Sequence, residues 1–133
     1  MYHIESPEDM FLLGKELAKD HHILLLSWEL WAGKTLLTKW FAAWLGLDNT
    51  LVQSPTYTYI NIYDHKLLHV DMYRLQEEKD MIEKWIHEQL HLYPYVVVEW
   101  PKFISQLPFD SYTHVFIEKT DRWRIVTLEK KTR

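Results

Sequence analysis

The chain contains no cysteine and only three glycines among its 133 residues. The absence of cysteine excludes disulfides and thiolate metal sites, and it agrees with a cytoplasmic location, which we expect for this protein. Glycine normally makes up about 7% of a domain. Its scarcity here is accompanied by an unusually large number of tryptophans, seven in all.

Long apolar segments and a strong positive charge are also missing. No run of about 18 uncharged apolar residues occurs, so no membrane-spanning helix is predicted. The first five residues lack the basic-then-apolar order of a secretory signal. The net charge of −4 argues against a broad nucleic-acid-binding surface. The length and the 47% apolar fraction predict one domain, residues 1–133, with its own core.

The most informative segment is residues 26–35, with the sequence LSWELWAGKT. It follows an apolar run typical of a buried strand and precedes a stretch with helical periodicity. A strand, a tight loop, Gly-Lys-Ser/Thr and a helix form the layout of a phosphate-binding P-loop. Gly33, Lys34 and Thr35 occupy the last three positions of that motif. A surface turn with a solvated lysine explains the tripeptide equally well when it is considered alone.

Apolar periodicity and capping residues predict an α/β domain with a mixed central sheet and flanking helices. The second helix is predicted to bury Trp40 and Trp44 on its inner face and to end at Gly46. Ser6 is the expected N-cap of the first helix. Helices are predicted at residues 7–19, 35–45 and 76–90, and strands at residues 23–26, 53–63, 67–73, 95–98, 114–118 and 124–129.

Two acidic residues lie at the ends of predicted strands. Asp71 lies near the end of one strand, and Glu99 directly follows another. Ligands of open α/β sheets bind at the carboxyl ends of the strands, where a P-loop also lies. A carboxylate in that position can hold Mg²⁺ or orient an attacking water. The alternative for each residue is a carboxylate that simply faces solvent.

Four motifs in this order resemble one family, the bacterial tRNA threonylcarbamoyladenosine biosynthesis protein TsaE. They are AGKT at 32–35, SPTYT at 54–58, HVDMYRL at 69–75 and VEWP at 98–101. The resemblance covers about residues 6–101. It implies a small P-loop NTPase-like ATPase that uses ATP and Mg²⁺, associates with the partner proteins TsaD and TsaB, and meets tRNA only through that complex.

The resemblance also implies roles for individual residues. Lys34 and Thr35 would bind phosphate and Mg²⁺, with Gly33 in the same loop. Asp71 and Glu99 would serve the metal and the hydrolytic water. Thr56 would lie in the loop that senses nucleotide, and Trp100 would lie beside the site.

The loop departs from the family pattern at two positions. Trp28 and Trp31 stand where the family has glycine, which tolerates positive φ and close approach to phosphate. A bulky residue in left-handed geometry costs about 1–2 kcal/mol. These residues favour an alternative in which the chain is a non-catalytic interaction module that keeps the fold and has lost nucleotide binding.

Other functions have weaker support. His87-Glu88-Gln89-Leu90-His91 matches the short zinc-protease motif, but both histidines fall on the polar face of the predicted helix and no third ligand stands at a recognised spacing. A generic small kinase would need a lid and an acceptor-binding segment, which the sequence lacks. The remaining histidines of turns and strands are expected to face solvent: His21, His22, His65 and His69.

Overall fold

The structure is a computed structural model. It describes residues 2–28, 34–52, 59–77, 79–80 and 86–132, without the side chains at 28, 34, 35 and 106. Within these residues seven strands form one sheet. The strands are β1 (Tyr2–Ile4), β2 (Ile23–Trp28), β3 (Ile60–Tyr63), β4 (Leu67–Asp71), β5 (Tyr95–Glu99), β6 (Ser111–Lys119) and β7 (Arg124–Thr132). The helices are α1 (Pro7–Asp20), α2 (Lys34–Trp44) and α3 (Ile86–Gln89), with 3₁₀ turns at Asn49–Leu51 and Ile104–Gln106.

The strand order is β1-β7-β6-β2-β5-β4-β3. The four central strands β6, β2, β5 and β4 run parallel to one another. Antiparallel pairs extend both edges, β3 on β4 at one side and β7 with β1 at the other. The predicted mixed α/β sheet is therefore confirmed. The sequence did not lead us to expect β1, a three-residue edge strand.

Helix α1 begins as its sequence predicts. The Ser6 hydroxyl accepts a hydrogen bond from the Asp9 backbone N–H at 3.2 Å, and Pro7 occupies the first turn. The Asp9 carboxylate in turn accepts from the Glu5 N–H at 2.9 Å. The first bond caps the N-terminus of α1, and the second joins the residue before the cap to the first turn.

Helix α2 ends at the predicted glycine. Gly46 has φ +85°, and the N–H groups of Leu47 and Gly46 donate to the carbonyls of Ala42 and Ala43, both at 3.0 Å. This is the Schellman arrangement, in which glycine takes the left-handed position without a Cβ penalty. Lys66, in the β3–β4 turn, adds a bond from its Nζ to the Leu45 carbonyl at 2.7 Å.

The expected burial of both tryptophans on the inner face of α2 is wrong for Trp44, which is 39% exposed. The fully buried row of α2 runs through Leu37 and Phe41, and the tryptophans lie at its edge, toward α1. Trp44 stacks on Phe11 with ring centroids 5.0 Å apart and donates from Nε1 to the Phe11 carbonyl at 3.1 Å. Trp40 is partly buried against α1. The apolar face of α2 is therefore wider than the part that packs on the sheet, and its edge packs against α1.

Several predicted boundaries differ from the structure. Strand β4 ends at Asp71 because the Asp71 carboxylate accepts from the Tyr73 N–H at 2.8 Å and turns the chain. Strand β3 begins only at residue 60, since Tyr59 has φ +65°. The earlier part of that predicted strand, residues 53–58, lies outside the described residues. Of the helix predicted at 76–90, residues 79–80 and α3 are helical, residues 76–77 are not, and 78 and 81–85 lie outside the description.

The core consists of two apolar layers, one on each face of the sheet. Helices α1 and α2 cover one face, and α3 with the segment around Leu107 covers the other. Strands β2 and β5 are apolar without alternation because both of their faces are buried. Among the described residues, no helix has the length and apolar character needed to span a membrane.

Candidate functional site at the carboxyl ends of the central strands

The two acidic residues singled out in the sequence lie side by side. In the parallel register Asp71 of β4 is paired with Glu99 of β5, and Glu99 is paired with Leu26 of β2. Paired residues on neighbouring strands are about 4.8 Å apart and project to the same face. That face carries α2, so both carboxylates lie on the side of the sheet from which α2 departs.

Neither carboxylate faces solvent, so the simple alternative for these residues is wrong. Asp71 is 3% exposed and Glu99 is fully buried. The Glu99 Oε2 atom is 2.8 Å from the Nε2 atom of His69. The Glu99 Oε1 atom is buried as well and has no hydrogen-bond partner within the described part of the chain. A buried carboxylate oxygen without a partner carries a large desolvation penalty.

His69 was expected to face solvent, and this expectation is wrong. It is fully buried, because β4 is an interior strand that is covered on both faces. Its Nδ1 atom lies 3.2 Å from the hydroxyl of Tyr63, also buried. Sequence reasoning missed both residues as part of the site. A usable signal was present, since His69 precedes Asp71 by two positions and therefore shares its face of the strand.

The pair of buried acids fits a divalent cation. Two carboxylates on adjacent strands repel each other when both are ionised, and a cation between them relieves that repulsion. Mg²⁺ in phosphate-binding sites is usually held by one or two carboxylates, with waters and substrate phosphates as the other ligands. In the described residues no group of three or more His, Cys, Asp or Glu side chains could hold a metal.

Trp100 follows Glu99 with a left-handed backbone, φ +53°. Its N–H donates to the Leu26 carbonyl at 3.1 Å, and its ring centroid is 5.1 Å from that of Tyr73. A non-glycine residue in this conformation costs about 1–3 kcal/mol, and such residues cluster at functional sites. Trp100 thus lies beside the two acids, between the ends of β2 and the segment after β4.

The other predicted site residues are described only in part. The backbone of Lys34 and Thr35 forms the first turn of α2, one residue earlier than predicted. Their side chains lie outside the description. Gly33, Trp31 and Thr56 lie entirely outside the described residues. In the described chain, β2 ends at residue 28 and α2 begins at residue 34, as the strand-loop-helix pattern predicts.

The zinc-protease motif does not form a metal site in the described chain. His87, Glu88 and His91 are exposed, and α3 ends at Gln89, so His91 lies beyond the helix. The two imidazole centroids are 5.6 Å apart in an edge-to-face arrangement. Among the described residues, no third His, Cys, Asp or Glu side chain joins them.

One other histidine was misplaced by sequence reasoning. His21 is half-buried and its Nδ1 atom lies 2.6 Å from the Thr113 hydroxyl, whereas His22 and His65 are exposed as expected. Burial lowers the pKa of His21 below 6.5, with Lys130 lowering it further.

A mixed sheet with four central parallel strands, acids at their carboxyl ends and a helix leaving the same edge define an α/β domain of the P-loop NTPase-like class. The family model for threonylcarbamoyl adenosine biosynthesis protein TsaE matches residues 4–126. The chain belongs to this family.

Individual relatives agree with the family. The tRNA threonylcarbamoyladenosine biosynthesis protein TsaE of Bacillus subtilis is 34% identical over 129 residues, with 92% of this chain and 80% of the relative covered. The protein of the same name from Rickettsia conorii is 29% identical over 91% of this chain and 72% of its own length. Among solved structures, that of Bacillus subtilis YdiB superposes with a TM-score of 0.68 at 27% identity, covering 99% of this chain and 84% of the other.

Proposed function

We propose that residues 1–133 work as one TsaE-type domain that binds ATP with Mg²⁺ and hydrolyses ATP in support of threonylcarbamoylation of tRNA. The modified base would be the adenosine next to the anticodon. The observation that carries the proposal is the pair of buried acids, Asp71 and Glu99, with Glu99 Oε1 left without a partner among the described residues. An uncompensated carboxylate at the ligand-binding edge of an α/β sheet is suited to a cation that accompanies phosphate.

Each residue of the site would have a distinct task. Lys34 places a positive charge on the β and γ phosphates, and backbone N–H groups around Gly33 bind the same anions. The Thr35 hydroxyl, with Asp71 and Glu99, would hold the metal. When bound, Mg²⁺ neutralises charge on the phosphates.

The carboxylates also have a role beyond the metal. Either Asp71 or Glu99 can accept a hydrogen bond from the attacking water and align it with the γ phosphate. Trp100 would border the nucleotide, and Thr56 would belong to the loop that responds to it.

The partners would be TsaD and TsaB, and the location the cytoplasm. The net charge of −4 supports a component that meets tRNA only through its partners, because a direct interface with the phosphate backbone needs clustered lysine and arginine.

Calorimetric titration with ATP and Mg²⁺ tests nucleotide binding. Wild-type protein is expected to bind with micromolar affinity, and Lys34→Ala is expected to abolish binding because the phosphates lose their positive partner. Lys39→Ala is the matched control, since Lys39 lies on α2 more than one turn further along. Equal affinity of Lys34→Ala and wild type would refute the P-loop assignment.

A second candidate function has a specific observation in its favour, the tryptophans at 28 and 31. An indole at either glycine position can block close approach of phosphate to the backbone. The chain would then act as a non-catalytic module that docks on partner proteins. Absence of ATP binding in wild type, restored in the Trp28→Gly/Trp31→Gly variant, would establish this second function. Micromolar binding by wild type would exclude it.

A further inference from the structure

The Glu99 carboxylate is part of a buried chain of three side chains. The Tyr63 hydroxyl lies 3.2 Å from His69 Nδ1, and His69 Nε2 lies 2.8 Å from Glu99 Oε2. The three residues come from β3, β4 and β5, and all project to the face of the sheet that α2 covers. His69 and Glu99 are fully buried and Tyr63 is 8% exposed.

The polarity of this chain follows from hydrogen-bond chemistry. A carboxylate in the ionised form that binds a cation can only accept, so with Glu99 in that form His69 Nε2 carries the hydrogen of the bond between them. In the neutral imidazole Nδ1 is then an acceptor, and the Tyr63 hydroxyl donates to it. Tyr63 therefore fixes the ring orientation and tautomer of His69, and His69 in turn fixes Glu99 Oε2.

The result is a carboxylate in which one oxygen is hydrogen-bonded to His69 and the other is available to a ligand. Oε2 is held by His69, whereas Oε1 has no partner among the described residues. The neighbouring Asp71 is held differently, through the bond from the Tyr73 N–H to Oδ1. Without His69 the Glu99 side chain could rotate or pair with another donor, and Oε1 would no longer be directed to one position.

We propose that His69, oriented by Tyr63, is a positioning residue that presents Glu99 Oε1 to the divalent cation and its water at the carboxyl end of β5. The inference rests on the proposed function for the identity of the ligand. It goes beyond that function because it assigns work to two residues that do not themselves contact the nucleotide. Groups that orient a metal-binding side chain typically affect metal affinity or activity 10–100-fold.

The test compares four variants with wild type: His69→Leu, His69→Gln, Tyr63→Phe and His87→Leu. Leucine removes the donor, whereas glutamine keeps an N–H that can reach Glu99. Tyr63→Phe removes only the hydroxyl that orients the ring. His87→Leu is the matched control, because it removes an exposed imidazole from α3 on the opposite face of the sheet. Circular dichroism and thermal melting identify the variants that remain folded.

Binding of Mn²⁺ in the presence of ADP, followed by electron paramagnetic resonance, gives a readout that does not depend on turnover. We expect about 10–100-fold weaker Mn²⁺ binding in His69→Leu, partial recovery in His69→Gln and a smaller loss in Tyr63→Phe. In steady-state ATPase assays at saturating Mg²⁺, kcat should fall more than KM for ATP rises, because the phosphate-binding residues are intact. Unchanged Mn²⁺ affinity in folded His69→Leu would overturn the proposal.

Nuclear magnetic resonance of ligand-free protein labelled with ¹³C and ¹⁵N tests the positioning independently of the nucleotide. His69 should carry a hydrogen on Nε2, and the ¹³Cδ signal of Glu99 should shift in His69→Leu but not in His87→Leu. A ring that carries its hydrogen on Nδ1 alone would overturn the inference, since Nε2 could not donate to Glu99. If wild type fails to bind Mn²⁺ with ADP, the proposed function fails, and the ¹⁵N and ¹³C signals still decide whether His69 positions Glu99.

Discussion

Gly14 of α1 lies directly against Trp40 of α2. A Cβ atom added at Gly14 would stand 2.6 Å from the Trp40 Cβ and 3.0 Å from the Trp40 carbonyl carbon. Real Cβ atoms do not approach a neighbour so closely. The glycine therefore sets the distance between the two helices that cover the α2 face of the sheet. This close contact fixes the position of α2 against α1. Because Lys34 and Thr35 form the first turn of α2, a movement of α2 would also move these two residues.

Gly14→Ala should destabilise the protein despite the better helix propensity of alanine. Overpacking in a well-packed interior costs about 1–3 kcal/mol, and the propensity gain of about 0.5–1 kcal/mol offsets only part of it. We expect a lower midpoint of urea denaturation, followed by tryptophan fluorescence. Glu16→Ala, on the exposed side of α1, serves as the control and should change the free energy of unfolding by less than about 0.5 kcal/mol. An unchanged midpoint in Gly14→Ala would show that α1 and α2 can separate freely.

Lys66→Met should weaken the link between the β3–β4 turn and the end of α2. The Lys66 Nζ atom donates to the Leu45 carbonyl at 2.7 Å, and its ammonium lies 5.9 Å from the centre of the Tyr95 ring. A cation at a helix C-terminus contributes about 0.3–1 kcal/mol, so a loss of that order is expected in denaturation experiments. Lys119→Met, which replaces an exposed lysine of β6 that is not at a helix C-terminus, is the control. An equal effect of both substitutions would mean that the carbonyl contact contributes nothing.

Lys102→Met should loosen the segment that follows Asp71. The Lys102 Nζ atom donates to the carbonyls of Tyr73 at 2.9 Å and Leu75 at 2.6 Å. Without these bonds, the Tyr73 N–H that binds the Asp71 carboxylate should exchange with solvent roughly tenfold faster, which corresponds to about 1.4 kcal/mol of local stability. Amide hydrogen exchange measured by NMR checks this. The exposed Lys119→Met should leave the Tyr73 amide unchanged, and equal protection in both variants would contradict the prediction.

The stability of the fold should decrease as the pH falls from 7.5 to 5.5. Burial lowers the pKa of both His21 and His114 below 6.5, and both are bonded to hydroxyls, Thr113 and Ser27 respectively. Because the pKa of each histidine is lower in the folded state, the unfolded chain binds protons first on acidification. The contribution of the two histidines to the free energy of unfolding is therefore fully present above about pH 6.5 and is lost as the pH falls toward the folded-state pKa.

Denaturation midpoints measured across this pH range give the slope. The His21→Gln/His114→Gln variant should show a flatter dependence, because glutamine does not titrate. His22→Gln/His65→Gln removes two exposed imidazoles and should keep the wild-type slope. A wild-type slope in the first variant would mean that other groups carry the pH dependence.

Local patterns in the sequence predicted much of the fold. The Ser6 cap, the Gly46 terminus of α2 and the unbroken apolar runs of β2 and β5 each depend on neighbours within a few residues, so the sequence alone was sufficient to place them. The alternation of helices with buried strands also predicted the mixed sheet.

Boundaries depended on contacts that local patterns do not contain. The end of β4 is set by the bond between the Asp71 carboxylate and the Tyr73 N–H, and the start of β3 by the positive φ of Tyr59. The exposure of Trp44 depended on where α1 packs, because Phe11 lies 33 residues away in the chain. The short strand β1 pairs with β7 more than a hundred residues later.

The sequence by itself determined the chemical types at the site, because acids at strand ends and Gly-Lys-Thr before a helix are encoded by composition and order. Only the tertiary structure decided that Asp71 and Glu99 are neighbours and that His69 is buried against Glu99. Those facts require the parallel register of β4 on β5 and the covering of both faces of the sheet. Register and burial are set by packing between segments distant in the chain, and the free energy of that packing is not carried by any one segment.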